Sequence, residues 1–95
     1  MSITEVSKKH NEWLKEMGWV GVTTPLEKLA LITEEIGECV KECRGETPTN
    51  HLKYELADII LRTLGMAESL NIDIESAILE KMELNKARGN LGRLK

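Results

Sequence analysis

Two short acidic clusters, Glu34-Glu35-Ile36-Gly37-Glu38 and Glu55-Leu56-Ala57-Asp58, lie inside stretches that otherwise carry the apolar spacing of core-forming helices. No other feature constrains the fold as much. Helix neighbours three and four residues apart repel when both are negative. A buried carboxylate costs more still unless something neutralises it. Two such clusters on adjacent helices therefore point to a cation held between them. The plain alternative is a solvated helix face, with Asp58 paired to Arg62 one turn later.

Apolar residues recur at helical spacing in four stretches. The first, from Ile3 to about Met17, places Ile3, Val6, His10, Trp13, Leu14 and Met17 near one face, with Ser2 as cap and Gly18 as left-handed stop. Gly18 to Thr24 reads as a loop. Thr24-Pro25-Leu26-Glu27 then opens the second helix with an N-cap, a first-turn proline and a capping-box glutamate. Leu26, Leu29, Ala30, Ile36 and Val40 form its expected core stripe, and Gly45 its stop. The third helix runs from about Thr49 to Leu70, with Leu52, Leu56, Ile59, Ile60, Thr63, Leu64, Ala67 and Leu70 on its expected buried side. Asp73 caps a fourth helix that continues to Arg88, and residues 89–95 read as a polar, mobile tail. Connections this short make neighbouring helices antiparallel. The expected architecture is all-α, a single domain over residues 1–95 built as a four-helix up-down bundle.

Composition narrows the function classes. The three aromatic residues are Trp13, Trp19 and Tyr54, so the core must come from Leu, Ile, Val, Met and Ala. A core this small is marginal alone, which favours self-association. The net charge is -3 and no basic stripe exists, which argues against a nucleic-acid partner. No apolar run is long enough to span a membrane and no signal-peptide pattern opens the chain, so the expected location is cytoplasmic. Cys39 and Cys43 lie one turn apart, with His10 and His51 at no zinc-like spacing, and read as reduced thiols.

The chemistry follows from helix geometry. Glu35 and Glu38 are three residues apart and share a face, as do Glu55 and Asp58. Antiparallel neighbours bring the four carboxylates around one volume, with Glu34 close by. Oxygen-only ligation selects a hard cation, Mg²⁺ or else Mn²⁺, and Mg²⁺ commonly binds substrate phosphates as well. Lys81, Asn85 and Arg88 fall at i, i+4, i+7 on the fourth helix. They can hold phosphate oxygens or serve as ordinary dipole-favourable residues. His10 and Trp13 are either core residues or a wall that stacks on a ligand's ring.

These residues resemble a known family. EExxE at Glu34, Glu35 and Glu38, followed on the next helix by ExxD at Glu55 and Asp58, is similar to the signature of the MazG-like all-α nucleoside triphosphate pyrophosphohydrolases. Lys81-x-x-x-Asn85-x-x-Arg88 resembles the family's following-helix segment, and the resemblance covers about residues 25 to 89. It implies hydrolysis of an NTP or dNTP between the α and β phosphates to NMP and pyrophosphate. It implies Mg²⁺ on Glu35, Glu38, Glu55 and Asp58, with Glu34 as a further ligand or orienting the attacking water. Lys81, Asn85 and Arg88 would bind phosphates. The resemblance does not extend to base recognition; Trp13, with the region up to Trp19, is the candidate for stacking on the substrate but matches no family motif. The resemblance also implies a homodimer or a dimer of dimers (a homotetramer) with pockets bordered by both subunits. Phosphoribosyl-ATP pyrophosphohydrolase, of similar length and with similar acidic helices, is the alternative within the superfamily. Outside the enzyme class the alternative is a catalytically silent helical interaction module.

Overall fold

The computed structural model describes residues 1–19 and 23–89. They form four helices, α1 (Ile3–Glu16), α2 (Pro25–Glu42), α3 (Leu52–Ser69) and α4 (Ile74–Arg88), with no strand among the described residues. No helix among them is long and apolar enough to cross a membrane. The expected mobile tail beyond Gly89 lies outside the described residues, as does the middle of the loop before Thr24.

Local chemistry accounts for most helix ends. Ser2 with Glu5 and Thr24 with Glu27 each close a reciprocal capping box. The Asp73 carboxylate accepts from the Ser76 N–H at 3.1 Å. Gly18 has φ of 73°, and the Trp19 N–H donates back to the Leu14 carbonyl at 2.9 Å, which ends α1 in a Schellman-type turn. Two ends depart from expectation. α2 stops at Glu42, capped at Cys43, and Gly45 is not among the left-handed residues. α3 starts at Leu52 rather than Thr49, because the Thr49 hydroxyl is engaged with Glu42 and the His51 N–H.

α3 is the centre, flanked by α2 and α1, and α4 packs on α1. Glu75 of α4 accepts from the Ile3 N–H at 3.0 Å and the Thr4 hydroxyl at 3.1 Å, which ties α4 to the start of α1. The expected four-helix up-down bundle is therefore not closed within one chain. Ile74, Ala77, Ile78 and Met82 share one face of α4, while Leu79 and Leu84 lie off it and are exposed. The radius of gyration is 15.5 Å, where a compact chain of this length is expected near about 12 Å.

The core is correspondingly thin. Among the described residues the only buried hydrophobic side chains are Leu64 and Ala67, both on α3, with Ser7 of α1 beside them in burial. The α2 stripe expected to be core faces outward: Leu26, Leu29, Ala30, Ile36 and Val40 are all exposed, Leu26 by 77%. Leu56, Ile60, Thr63 and Leu70 of α3 are exposed too. The partly covered column of α2 is instead Lys28, Leu31, Ile32, Glu35, Cys39 and Glu42, also at helical spacing. The most apolar face of the helix was the natural choice for the core, and the chain turns a mixed face toward α3.

Candidate active site

Glu35 rides on that mixed column, so the packing of α2 on α3 carries it toward Glu55 and Asp58. Carboxylate oxygens of these three residues lie within 4.8 Å of one another. Glu35 and Glu55 are half-buried and Asp58 is exposed. Partial burial raises the Glu55 pKa above the usual glutamate value, and the negative charges of Glu35, Asp58 and Glu38 push it further up. The three carboxylates are close enough together that they could hold a metal ion.

The other expected acidic residues stand outside this triad. Glu38 lies on the flank of the column, exposed, with Lys41 at 3.5 Å. It remains near enough to act on Glu55. Glu34 is exposed as well. Gly37 between them has open space where a Cβ would be, so among the described residues nothing makes the close approach its small size would allow.

Arg62 departs from the simple structural reading. It does not pair with Asp58 on its own helix. Its Nε donates to Glu35 Oε1 at 3.1 Å, across from α3 to α2. Cys39, one turn after Glu35, is a free thiol whose pKa is raised by burial and by Glu55, so it stays protonated at neutral pH.

Asp58 belongs both to the triad and to a cavity of about 400 Å³, a volume within the range of small-molecule sites. The cavity is edged by Asp58 and Arg62 and walled by His10, Trp13 and Trp19, with Asn11 and Lys28 among its polar groups. His10 stacks on Trp13 with centroids 5.9 Å apart, and Trp19 meets Trp13 edge-on at 5.2 Å. The Schellman turn at Gly18 is what swings Trp19 back to this position. Trp13 and Trp19 remain partly open to solvent despite these ring contacts, at 46% and 51% exposure. Trp19 reads from sequence as either an anchor against the bundle or part of a ligand pocket, and the turn after α1 puts it in the cavity wall, whereas Asn11 and Lys28 carry no sequence signal of a site.

Lys81, Asn85 and Arg88 are not brought to the triad in the single chain. Lys81 and Asn85 line a second cavity with Ile74, Ala77, Ile78 and Met82, all on α4. The two cavities share no residue.

The MazG nucleotide pyrophosphohydrolase domain matches residues 23–89, which hold both acidic clusters and α4. The chain is 35% identical over 60 residues to a dATP/dGTP diphosphohydrolase of Cyanophage S-2L, covering 63% of this chain and 52% of that protein. It is 21% identical to the dCTP pyrophosphatase 1 of Mus musculus and 23% to that of Homo sapiens, in each case over 92% of this chain and 58% of the relative. The chain thus spans between 52% and 58% of the length of these relatives. No solved structure matches it significantly. With a matched segment running from just before α2 to the end of α4, the chain belongs to the MazG nucleotide pyrophosphohydrolase family.

Proposed function

We propose that this chain hydrolyses a deoxynucleoside or nucleoside triphosphate between the α and β phosphates, releasing NMP and pyrophosphate, with Mg²⁺ or Mn²⁺. The observation that carries the reading is that Asp58 joins a three-carboxylate cluster to an aromatic-walled cavity. The donor set is oxygen only, which fits a hard divalent cation. Glu35, Glu55 and Asp58 would hold it, and Glu38 joins them by a rotamer change that its exposure permits. The bound ion supplies Lewis-acid polarisation of the phosphoryl group and a more acidic water. Glu34 orients the attacking water or adds a ligand. Trp13 offers its exposed face to the base, with Trp19 buttressing it edge-on. Relatives named for dATP/dGTP and for dCTP favour a deoxynucleotide and differ in the base.

The same reading includes a homodimer or a dimer of dimers. The accessible surface of 7456 Å² exceeds the roughly 5,500 Å² expected for a folded monomer of this mass. Leu26, Leu29, Ile36 and Val40 on α2, with Leu56 and Ile60 on α3, form apolar faces that no described residue of the chain covers. A second copy placed there closes the bundle, and α4 of an assembled copy is the source of Lys81, Asn85 and Arg88 for the phosphates.

A panel of NTPs and dNTPs, with phosphoribosyl-ATP included, assayed with Mg²⁺ or Mn²⁺ for pyrophosphate release, tests the activity. The expected result is metal-dependent turnover of at least one triphosphate. No release across the panel overturns the reading and leaves a non-catalytic helical module.

A further inference from the structure

Arg62 has an environment that a structural ion pair does not account for. Only its Nε is engaged, on Glu35 Oε1. Its two terminal Nη groups have no hydrogen-bond partner among the described residues. The residue also edges the cavity beside Asp58, its i−4 neighbour on α3. The Glu35 side chain is 16% exposed and that of Arg62 is 43% exposed, so the guanidinium is the member of the pair more open to solvent. Lys28, the other basic residue lining the cavity, is tied to the Thr23 hydroxyl at 2.7 Å.

Two facts follow from charge alone. A divalent cation on Glu35 and a guanidinium on the same carboxylate compete, because both neutralise it and both are positive. A guanidinium pushed off Glu35 stays on the cavity edge with its planar donor fork free, which matches phosphate oxygens well. Resting on the cation-site reading above, we propose that Arg62 exchanges partners. In the free protein it is the counter-ion of Glu35 and holds the acidic cluster together. With a cation and nucleotide present it turns into the cavity and binds a phosphate of the substrate. Arg62 is then a substrate-binding residue that couples cation uptake to nucleotide binding, and it lies outside the EExxE and ExxD positions.

The test is calorimetric titration of MnCl₂ into the substrate-free full chain, for wild type, Arg62→Gln and Arg62→Lys, with steady-state kinetics on the best triphosphate. Arg62→Gln should bind Mn²⁺ about two- to fivefold more tightly, the scale of a partly exposed ion pair removed from competition. Its nucleotide KM should rise about tenfold, as expected for the loss of a partly exposed charged hydrogen bond. Arg62→Lys keeps the charge but not the fork. It should bind Mn²⁺ like wild type, with a KM between those of wild type and Arg62→Gln. Unchanged or weaker Mn²⁺ binding by Arg62→Gln overturns the exchange and makes Arg62 a scaffold for Glu35. An unchanged KM overturns the phosphate role. Wild-type protein that binds no Mn²⁺ removes the cation site itself, whereas wild-type binding without the Arg62→Gln gain removes only the exchange.

Discussion

The two faces of the α2–α3 pair are used in opposite ways. The inner face carries Glu35, Cys39, Glu42 and Glu55 among a few apolar neighbours, and all of these are partly covered. The outer face carries Leu26, Leu29, Ile36, Val40, Leu56 and Ile60, and all of these are exposed. Burial within a single chain would ordinarily select the second set, since each large apolar side chain removed from water contributes about 1.5–3 kcal/mol. The chain instead spends its own helix–helix contact on the carboxylates. What this teaches is a division of labour: intramolecular packing positions the charges, and the apolar surface stays exposed, the surface proposed above for association. Buried carboxylates tolerate the arrangement only with a neutralising partner, which Arg62 supplies for Glu35 in the free chain.

The comparison breaks most sharply at Asp58, the one residue shared by cluster and cavity. Asp58→Asn should lower kcat/KM at least about 100-fold, the scale of several kcal/mol of metal-assisted stabilisation lost. Its helices should remain folded by circular dichroism, because Asp58 is exposed and its removal relieves repulsion. Activity within twofold of wild type would mean that the inner face is not the site.

The outer face is broken by charge. Ile36→Asp should weaken self-association by about 30-fold, the scale of a central interface residue, read by light scattering across a dilution series. Mn²⁺ binding by the dissociated chain should persist, because Glu35, Glu55 and Asp58 all belong to one copy. Loss of both properties together would show that the two faces are not independent.

At the far end of the cavity, Trp13→Ala should raise the nucleotide KM about tenfold, as base–aromatic stacking is worth about 1–3 kcal/mol. Helix stability should change little, since Trp13 is exposed rather than core. An unaltered KM would assign base contact to other residues of the cavity.

The smallest effect is on stability against pH. The folded-state pKa of Glu55 lies above the unperturbed 4.5, chiefly through burial. Over the interval from the unfolded to the folded value the native state binds more protons, so stability falls as pH rises through it. The metal-free protein should therefore lose part of its Tm as pH rises across that window. Glu55→Gln should remove that component, and the difference between the two melting curves isolates it from the capping carboxylates Glu27 and Asp73, whose pKa values are lowered by their cap hydrogen bonds. Parallel curves would mean that the three carboxylates are not coupled as their spacing indicates.

Much of the fold is legible in local chemistry. Thr24-Pro25-Leu26-Glu27 starts α2 where a capping box predicts, and Gly18 ends α1 in the left-handed conformation. The pairing of Glu55 and Asp58 with Glu35 follows from helical spacing and a short connection. The missed features share one cause, which is that spacing specifies a face but not what it meets. The apolar stripe of α2 reads as core from its spacing, yet it faces out. Glu38 belongs to the same motif as Glu35, yet the 60° between them on the helix puts it on the flank beside Lys41. Arg62 looks like a partner for Asp58 by the i, i+4 rule, and a carboxylate on another helix takes it instead.

By itself the sequence determined four helices, the caps of α1, the starts of α2 and α4 and the two acidic clusters, because capping, periodicity and charge spacing act within a turn or two of the chain. Tertiary structure alone decided which face of α2 is inside, where Arg62 goes, and that Trp19 turns back onto Trp13. Those outcomes depend on the rotation of one helix about its axis against another. That rotation is set by the sum of packing and electrostatics across the contact, to which no single residue's neighbours in sequence are a guide.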